Sequence, residues 1–420
     1  MSPLLLSLRF APLFWCQFFS AFADLFLKTA LVFLILFRPN NADAGALITL
    51  ASAIFIAPFF FLSGLGGEMA DRYDKALIAQ RLKFAEIAVA AVAAAGFVLN
   101  SIVVLFVALA GFGVIGALFG PIKYGILPDH LRTEQLPTAN ALVEGATFIA
   151  ILTGTIAGGI AASDGGDVWT CAGLMIGFAL ACWGSSLLIP PTGEGAPQLQ
   201  IRANIVASTI AMLRHLRADA RLWWGGLVTS WFWLLGIVVT SLLPTLIKTP
   251  IGGNELTVTI FLAVFSIAIG AGSGIAAWIA HGRIVLWPTL LAAVLLGIFS
   301  LDIGIATIGR PDVSAPLPPA TVFTTVLGIR TLIDIAAFAA AGGLFIVPSF
   351  AAVQSWAGPD YRARTIAAIN VINAAFMTAA TFGVAALQKA GVTVPMLFLA
   401  TGLATLAVAF AIWRTMPKVD

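Results

Sequence analysis

Gly67-Glu68-Met69-Ala70-Asp71-Arg72-Tyr73-Asp74-Lys75 is a short charged island between two long apolar runs, 46–67 and 77–99. Five of these nine residues are charged, in a chain whose charged fraction is only 10%. A bilayer span needs about 20 apolar residues, so the two runs read as antiparallel spans and the island as the turn that keeps its charges in water. The whole chain has 420 residues, 60% of them hydrophobic, and a mean hydropathy of +1.03. Soluble domains carry about 25% charged residues, which excludes a cytosolic or secreted enzyme. At about 35 residues per span and connection, this length holds about twelve spans. The net charge of +3 gives no footing for nucleic acid.

Twelve runs can be placed. They are 11–37, 46–67, 77–99, 102–124, 138–162 and 167–190, then 222–247, 256–280, 284–308, 321–347, 363–388 and 394–413. A polar segment, 191–221, separates six from six. The expected domains are therefore 1–190, a linker 191–221, and 222–420. With both termini inside, the inner segments hold Arg9, Arg72, Lys75, Arg132, Arg202, Arg214, Arg217, Arg221, Arg283, Arg362, Arg364, Arg414 and Lys418. The outer ones hold Arg38, Lys248, Arg310 and Lys389. Thirteen against four predicts cytoplasmic termini. A proline-rich outer loop (Pro311, Pro316, Pro318, Pro319) precedes span 10. In the linker, Leu199, Ile201, Ile205, Met212, Leu213 and Leu216 alternate with Arg214, Arg217 and Arg221, the pattern of an amphipathic helix on the inner membrane face. A plain connector between bundles accounts for the same residues.

Ala21-Phe22-Ala23 has the look of a signal-peptidase site, but the apolar run continues past it and only Arg9 precedes it, so a retained first helix is expected. Cys16, Cys171 and Cys182 read as small buried hydrophobes. His130, His215 and His281 lie far apart, and no metal site or cofactor is expected. His215-x-x-x-Asp219 is one residue short of the H-x-x-x-x-D pair of glycerolipid acyltransferases, so a membrane-bound acyltransferase gains no support.

The halves repeat faintly. Phe119-Gly120-Pro121 closes span 4, with Asn140 and Glu144 entering span 5; Ile346-Val347-Pro348 closes span 10, with Asn370 and Asn373 entering span 11. Gly282-Arg283 stands where the second half would repeat the charged island. Two six-helix halves in parallel repeat resemble a major facilitator transporter. The stretch from Gly67 to Lys75 is similar to that superfamily's loop motif G-x-x-x-D-R-x-G-R-K, with Asp74 where glycine is usual. Asp71, Arg72 and Lys75 are then expected to act as a gate latch, Asp71 facing a helix N-terminus and the basic residues meeting acidic groups. The superfamily's span-4 arginine and its span-5 glycine–proline antiporter motif are missing. Gly154-x-x-x-Gly158-Gly159 suggests close helix packing instead.

Ionisable residues inside a span are costly and mark function. Asp24 and Lys28 share a face of span 1 at i,i+4, as do Arg330 and Asp334 near the middle of span 10. Glu144 lies in span 5, and Lys123 at the inner end of span 4. Each i,i+4 pair could merely neutralise itself. Alternatively the set could hold a zwitterion with a greasy tail: Asp24, Asp334 or Glu144 for an ammonium, Lys28, Lys123 or Arg330 for a phosphate. Arg81, Lys83 and Glu86 lie near the inner end of span 3, where they can snorkel. Trp223 and Trp224 fit an interfacial belt. Trp231 and Trp233 lie deeper and could contact an acyl chain, while Asn140 could offer neutral hydrogen bonds.

Four stretches resemble bacterial lysophospholipid transporters: Gln17-Phe-Phe-Ser-Ala-Phe-Ala-Asp24, Gly120-Pro-Ile-Lys123-Tyr-Gly-Ile-Leu-Pro128, Thr138-Ala-Asn140-Ala-Leu-Val-Glu144, and Gly342-Gly-Leu-Phe-Ile-Val-Pro348 with Gln354. The resemblance implies an all-α fold of twelve transmembrane helices in the bacterial inner membrane. It implies that spans 1, 4, 7 and 10 line a central path, and that Asp24, Lys123, Asn140 and Glu144 are functional. The implied cargo is a lysophospholipid, chiefly lysophosphatidylethanolamine, moved from the outer to the inner leaflet for re-acylation by an acyltransferase–synthetase. The chain ends at Asp420, so no fused copy of that enzyme is expected. A monomer among bilayer lipids is expected, with no enzymatic activity. The alternative is a proton-coupled exporter of amphipathic drugs or metabolites, with Asp24, Glu144 or Asp334 as proton carrier.

Overall fold

A computed structural model describes residues 2–36, 44–162, 167–201, 204–311, 313 and 317–416. Arg38, Arg202, Pro316 and Lys418 lie outside the described residues. The described chain is helical, without a named strand; a single isolated bridge joins Gly253 and Leu317.

Thirteen long helices follow one another. They are α1 (Ala11–Leu36), α2 (Ala44–Arg72), α3 (Lys75–Val98), α4 (Ile102–His130), α5 (Leu136–Ala161), α6 (Val168–Leu187), α7 (Ile205–Ala218), α8 (Ala220–Lys248), α9 (Glu255–Ala280), α10 (Trp287–Thr307), α11 (Val326–Trp356), α12 (Arg362–Lys389) and α13 (Val394–Thr415). Each span expected from the sequence overlaps one of these, with ends that differ by up to nine residues, as at Trp356, where α11 runs past the expected end at 347. Eleven of them are long and apolar enough to cross a membrane. The twelfth, α3, has 24 residues, about 36 Å at 1.5 Å per residue. It fails on composition alone, because Lys75, Arg81, Lys83 and Glu86 all fall in it. Within its bundle α3 packs along α4 and α6. The chain is a multi-pass membrane protein.

Start signals are where local chemistry places them. Asp74, Ser101, Asp167, Asn204 and Asn254 each accept an amide N–H from the first turn of the helix that follows. The Trp169 amide, followed by the Thr170 hydroxyl and amide, holds the Asp167 carboxyl below the usual carboxylate range. Span 10 starts later than its composition suggests. Pro319–Val322 forms a separate turn, and α11 begins at Val326.

The helices gather into two compact units. The first comprises residues 1–139, 149–223 and 354–374; the second 140–148, 224–353 and 375–420. In the first, Phe22, Phe26, Leu27, Leu31, Phe97, Leu105, Phe112 and Met175 form an apolar core. Gly154 and Gly158 lie on the carbonyls of Phe22 and Phe26, where an added Cβ would come within 2.6 and 2.5 Å of oxygen. The small-residue spacing thus lets α5 touch the α1 backbone. In the second unit, α10 packs along α13.

The linker helix α7 differs from the membrane-surface reading. Its apolar face, with Met212 and Leu216 buried, turns onto protein, and α7 packs against α2. The buried Ser208 hydroxyl there donates to the Glu68 carboxylate.

Candidate functional site

Two groups of charges stand out in the first unit. One surrounds Asp24. Ser20 lies one turn earlier on the same face of α1, and Lys83 of α3 donates to its hydroxyl at 2.7 Å. Lys83 is also paired with Glu86 at 2.6 Å, both side chains having no solvent exposure. Its ammonium lies 4.1 Å from the centre of the Phe119 ring. The snorkelling expected of these residues does not occur. With both side chains fully buried, each charge takes the other, and the Ser20 hydroxyl and the Phe119 ring face complete the cation's shell. The charges acting on Asp24 are those of Glu86, Lys83 and Lys123. The Asp24 and Lys123 side chains are half-buried, and Lys123 lies over the Tyr124 ring at 4.5 Å.

Lys28 is not the partner of Asp24. No ion pair joins them, and the Lys28 ammonium sits 5.9 Å from the Phe55 ring centre. The i,i+4 spacing puts the two on one side of α1, but self-neutralisation does not follow from it.

The second group is the charged island. Asp71 is fully buried. It accepts the Ala363 and Arg364 amides at 2.9 and 3.2 Å and the Arg364 Nε–H at 2.8 Å, so it sits at the first turn of α12. A carboxylate there meets unsatisfied N–H groups and the positive end of the helix. Lys75 pairs with Asp129 at 2.9 Å, and Arg362 pairs with the same carboxylate at 2.8 Å. Arg72 lies over the Tyr73 ring, 5.1 Å from its centre. Asp74 has φ −58°, which any residue adopts. It accepts the Leu77 amide at 3.0 Å and the Thr192 and Gly193 amides at 2.8 and 2.7 Å, tying the linker to this turn. The His215 ring of α7 lies against Tyr361, centres 3.8 Å apart and tilted by 32°, and the Arg364 guanidinium covers the same tyrosine at 3.8 Å.

In the second unit, Asn140 and Glu144 occupy successive turns of α5, both fully buried. Arg330 departs from expectation. It lies in the second turn of α11 rather than near mid-helix, and its carboxylate partner is Asp302 of α10, not Asp334. Composition did not flag Asp302 because it stands alone in an apolar run. Trp233 stacks on Phe148 (6.2 Å, 17°), while Trp231 is half-buried. Between these aromatics it is Phe232 that lines a narrow apolar crevice, with Leu235, Phe265, Ile269 and Phe338.

Within the first unit, carboxylates and cations thus stand together at two places, Lys83 with Glu86 and the Asp71, Lys75, Asp129, Arg362 and Arg364 set. Comparison with known proteins agrees with a carrier. The model of the Major Facilitator Superfamily matches residues 13–311. Lysophospholipid transporter LplT of Pectobacterium carotovorum subsp. carotovorum (strain PC1) is 32% identical over 275 residues, covering 62% of this chain and 62% of that protein. LplT of Yersinia pestis (strain Pestoides F) is 29% identical over 363 residues, covering 83% of this chain and 79% of its own length. Among solved structures, the human organic anion transporter MFSD10 superposes with a TM-score of 0.72 at 17% identity, over 95% of this chain and 98% of that one. A span of 299 residues out of 420 (13–311) is well over half the chain, and with the helical architecture it makes this protein a member of the Major Facilitator Superfamily.

Proposed function

We propose that this protein carries lysophospholipids across the bacterial inner membrane, from the outer to the inner leaflet, by alternating access with a lateral opening for the acyl chain. The observation that carries the reading is the mixed-charge set in which Asp24 stands under Glu86, Lys83 and Lys123 inside an otherwise apolar bundle. A zwitterionic head group finds an anion for its ammonium and a cation for its phosphate there. The names of the relatives support the same cargo class. Asp24 takes the ammonium and Lys123 the phosphate, with Asn140 and Glu144 on the path. The aromatic wall around Phe232 and Trp233 serves the tail.

In this reading residues 1–190 and 222–420 are the two rocking halves, 191–221 joins them, and both termini are cytoplasmic. The Asp71–Arg364 and Lys75–Asp129–Arg362 pairs are the closed inner latch. Delivered lipid passes to an acyltransferase–synthetase. The protein works as a monomer.

The test is a proteoliposome assay with labelled lysophosphatidylethanolamine. Inward movement is expected in the wild type, and loss of more than about tenfold in Asp24→Asn and Lys123→Ala, as for a charge-assisted hydrogen bond of 1.5–3 kcal/mol. Unchanged movement in both variants overturns the residue assignment. A wild type that moves no lysolipid overturns the cargo.

A further inference from the structure

The second unit has a cavity that the head-group reading above does not use. The chain leaves α8 at Lys248 and enters α9 at Glu255, with the turn 249–254 between them. Backbone bonds hold that turn in one shape. The Gly253 N–H donates to the Ile247 carbonyl at 2.8 Å, the Asn254 N–H to the Leu317 carbonyl at 3.1 Å, and the Leu317 N–H to the Gly252 carbonyl at 2.7 Å. Asn254 caps α9, its Oδ1 accepting the Thr257 amide and hydroxyl at 3.0 Å each, which leaves its Nδ2 hydrogens unused. Against the turn lies an open cavity of about 710 Å³, within the range of about 300–1,000 Å³ usual for small-ligand sites. Lys248, Asn254 and Glu255 give it a polar side, and Pro244, Leu256 and Val258 an apolar one.

Lys248 and Glu255 line one cavity, both are exposed, and among the described residues neither joins an ion pair, with the other or elsewhere. Each charge suits its own helix end, a cation at the last turn of α8 and an anion at the first turn of α9. That accounts for each singly and satisfies neither side chain. A ligand with one charge would leave the opposite residue unanswered in the same cavity, whereas a zwitterion meets both. Leu256 is 59% exposed beside them, so the ligand that covers most of this surface also carries an apolar chain.

We propose that this cavity is a docking site for a phosphoethanolamine head group on a single acyl chain. The phosphate meets the Lys248 ammonium and the Asn254 amide, the ligand's ammonium meets the Glu255 carboxylate, and the chain lies along Pro244, Leu256 and Val258. The site rests on the cargo class and topology proposed above: with cytoplasmic termini the turn is on the outer side, and the cavity receives the lipid before it is moved. Asp24, Glu86, Lys83 and Lys123 belong to the first unit, so the two sites share no residue. The rigid turn fixes the two charges relative to each other, which lowers the cost of ordering the site around its ligand.

The test places an environment-sensitive fluorophore on Thr245→Cys, an exposed position one turn before Lys248; Cys16, Cys171 and Cys182 are buried. The purified full-length protein, in an uncharged maltoside detergent, is titrated with lysophosphatidylethanolamine, with lysophosphatidylglycerol, which lacks the ammonium, and with glycerophosphoethanolamine, which lacks the chain. A saturable emission shift is expected with lysophosphatidylethanolamine, its midpoint rising by about tenfold or more in Lys248→Gln and in Glu255→Gln, as for a lost charge-assisted hydrogen bond. Glu255→Gln should not weaken lysophosphatidylglycerol, and Asp24→Asn should leave the shift in place. No shift in the parent protein, or midpoints that neither charge variant moves, overturns the proposal. Saturation by glycerophosphoethanolamine at the same concentration overturns the lipid assignment and makes this a site for the soluble head group. Lysolipid movement in proteoliposomes without the shift removes the docking site alone, and the shift without movement removes the transport reading alone.

Discussion

Gln354 donates through its Nε2 to the backbone carbonyl of Tyr124 at 3.1 Å, and that carbonyl is the one Pro128 cannot serve. Within α4, Tyr124 would receive the N–H of residue 128, but proline has none. A side chain 230 positions away in sequence repairs the break, next to the lysine expected to meet the phosphate. Gln354→Leu should leave a buried carbonyl unsatisfied, at a cost of about 1–3 kcal/mol. The apparent melting temperature of the purified protein reads this. Pro128→Ala restores the donor, so the same substitution in that background should cost much less. Equal losses in both backgrounds would show that the bond is not what Gln354 contributes.

Lys83 and Glu86 make a second test, because a buried pair responds differently to losing one member or both. Lys83→Met or Glu86→Gln alone should destabilise by about 3–5 kcal/mol, each leaving an uncompensated group in an apolar shell. The double change Lys83→Met with Glu86→Leu should recover most of the melting temperature. Transport should stay low in the double variant, because Asp24 loses two of the charges that act on it. A double variant that transports normally would reduce the pair to a structural role.

How far the sequence could be read follows from these two cases. The spans were legible because twenty-residue apolar runs have few other uses, and the charged island because it interrupts them. Asp24, Lys123 and Glu144 were legible as charges where charge is costly. Partners were not legible. Spacing placed Asp24 with Lys28 and Arg330 with Asp334, yet Asp24 is acted on from α3 and α4, and Arg330 is held from α10. An i,i+4 relation fixes a shared face, while the choice of partner depends on which helix packs there. Gln354 is the clearest instance: its reason is a missing donor on α4, visible only once the two segments are adjacent.

The Asp71 carboxylate supports the first turn of α12 through three donors. Asp71→Asn keeps the shape but removes the charge and turns one oxygen into a donor facing N–H groups. A loss of about 3 kcal/mol from the closed latch corresponds to about a 100-fold rise in its opening. Ala363→Cys places a thiol where the latch buries it, and Cys16, Cys171 and Cys182 are themselves buried. Labelling of that cysteine by a membrane-impermeant maleimide should accelerate by about 100-fold in the Asp71→Asn background. An unchanged rate would mean that α12 is held by its packing rather than by Asp71.

Asp74 offers the sharpest separation of two roles, because glycine is both the superfamily's usual residue there and a tolerable helix cap. Its carboxylate caps α3 at the Leu77 amide and clamps the linker at the Thr192 and Gly193 amides. Glycine in place of a capping aspartate costs the helix only a few tenths of a kcal/mol. The linker amides, by contrast, lose a charged acceptor worth about 1.5–3 kcal/mol. Asp74→Gly should therefore leave hydrogen exchange along α3 nearly unchanged, while exchange at Thr192 and Gly193 rises by at least about tenfold. Exchange that rises equally in α3 and in the linker would show that the cap, not the clamp, is the reason for the aspartate.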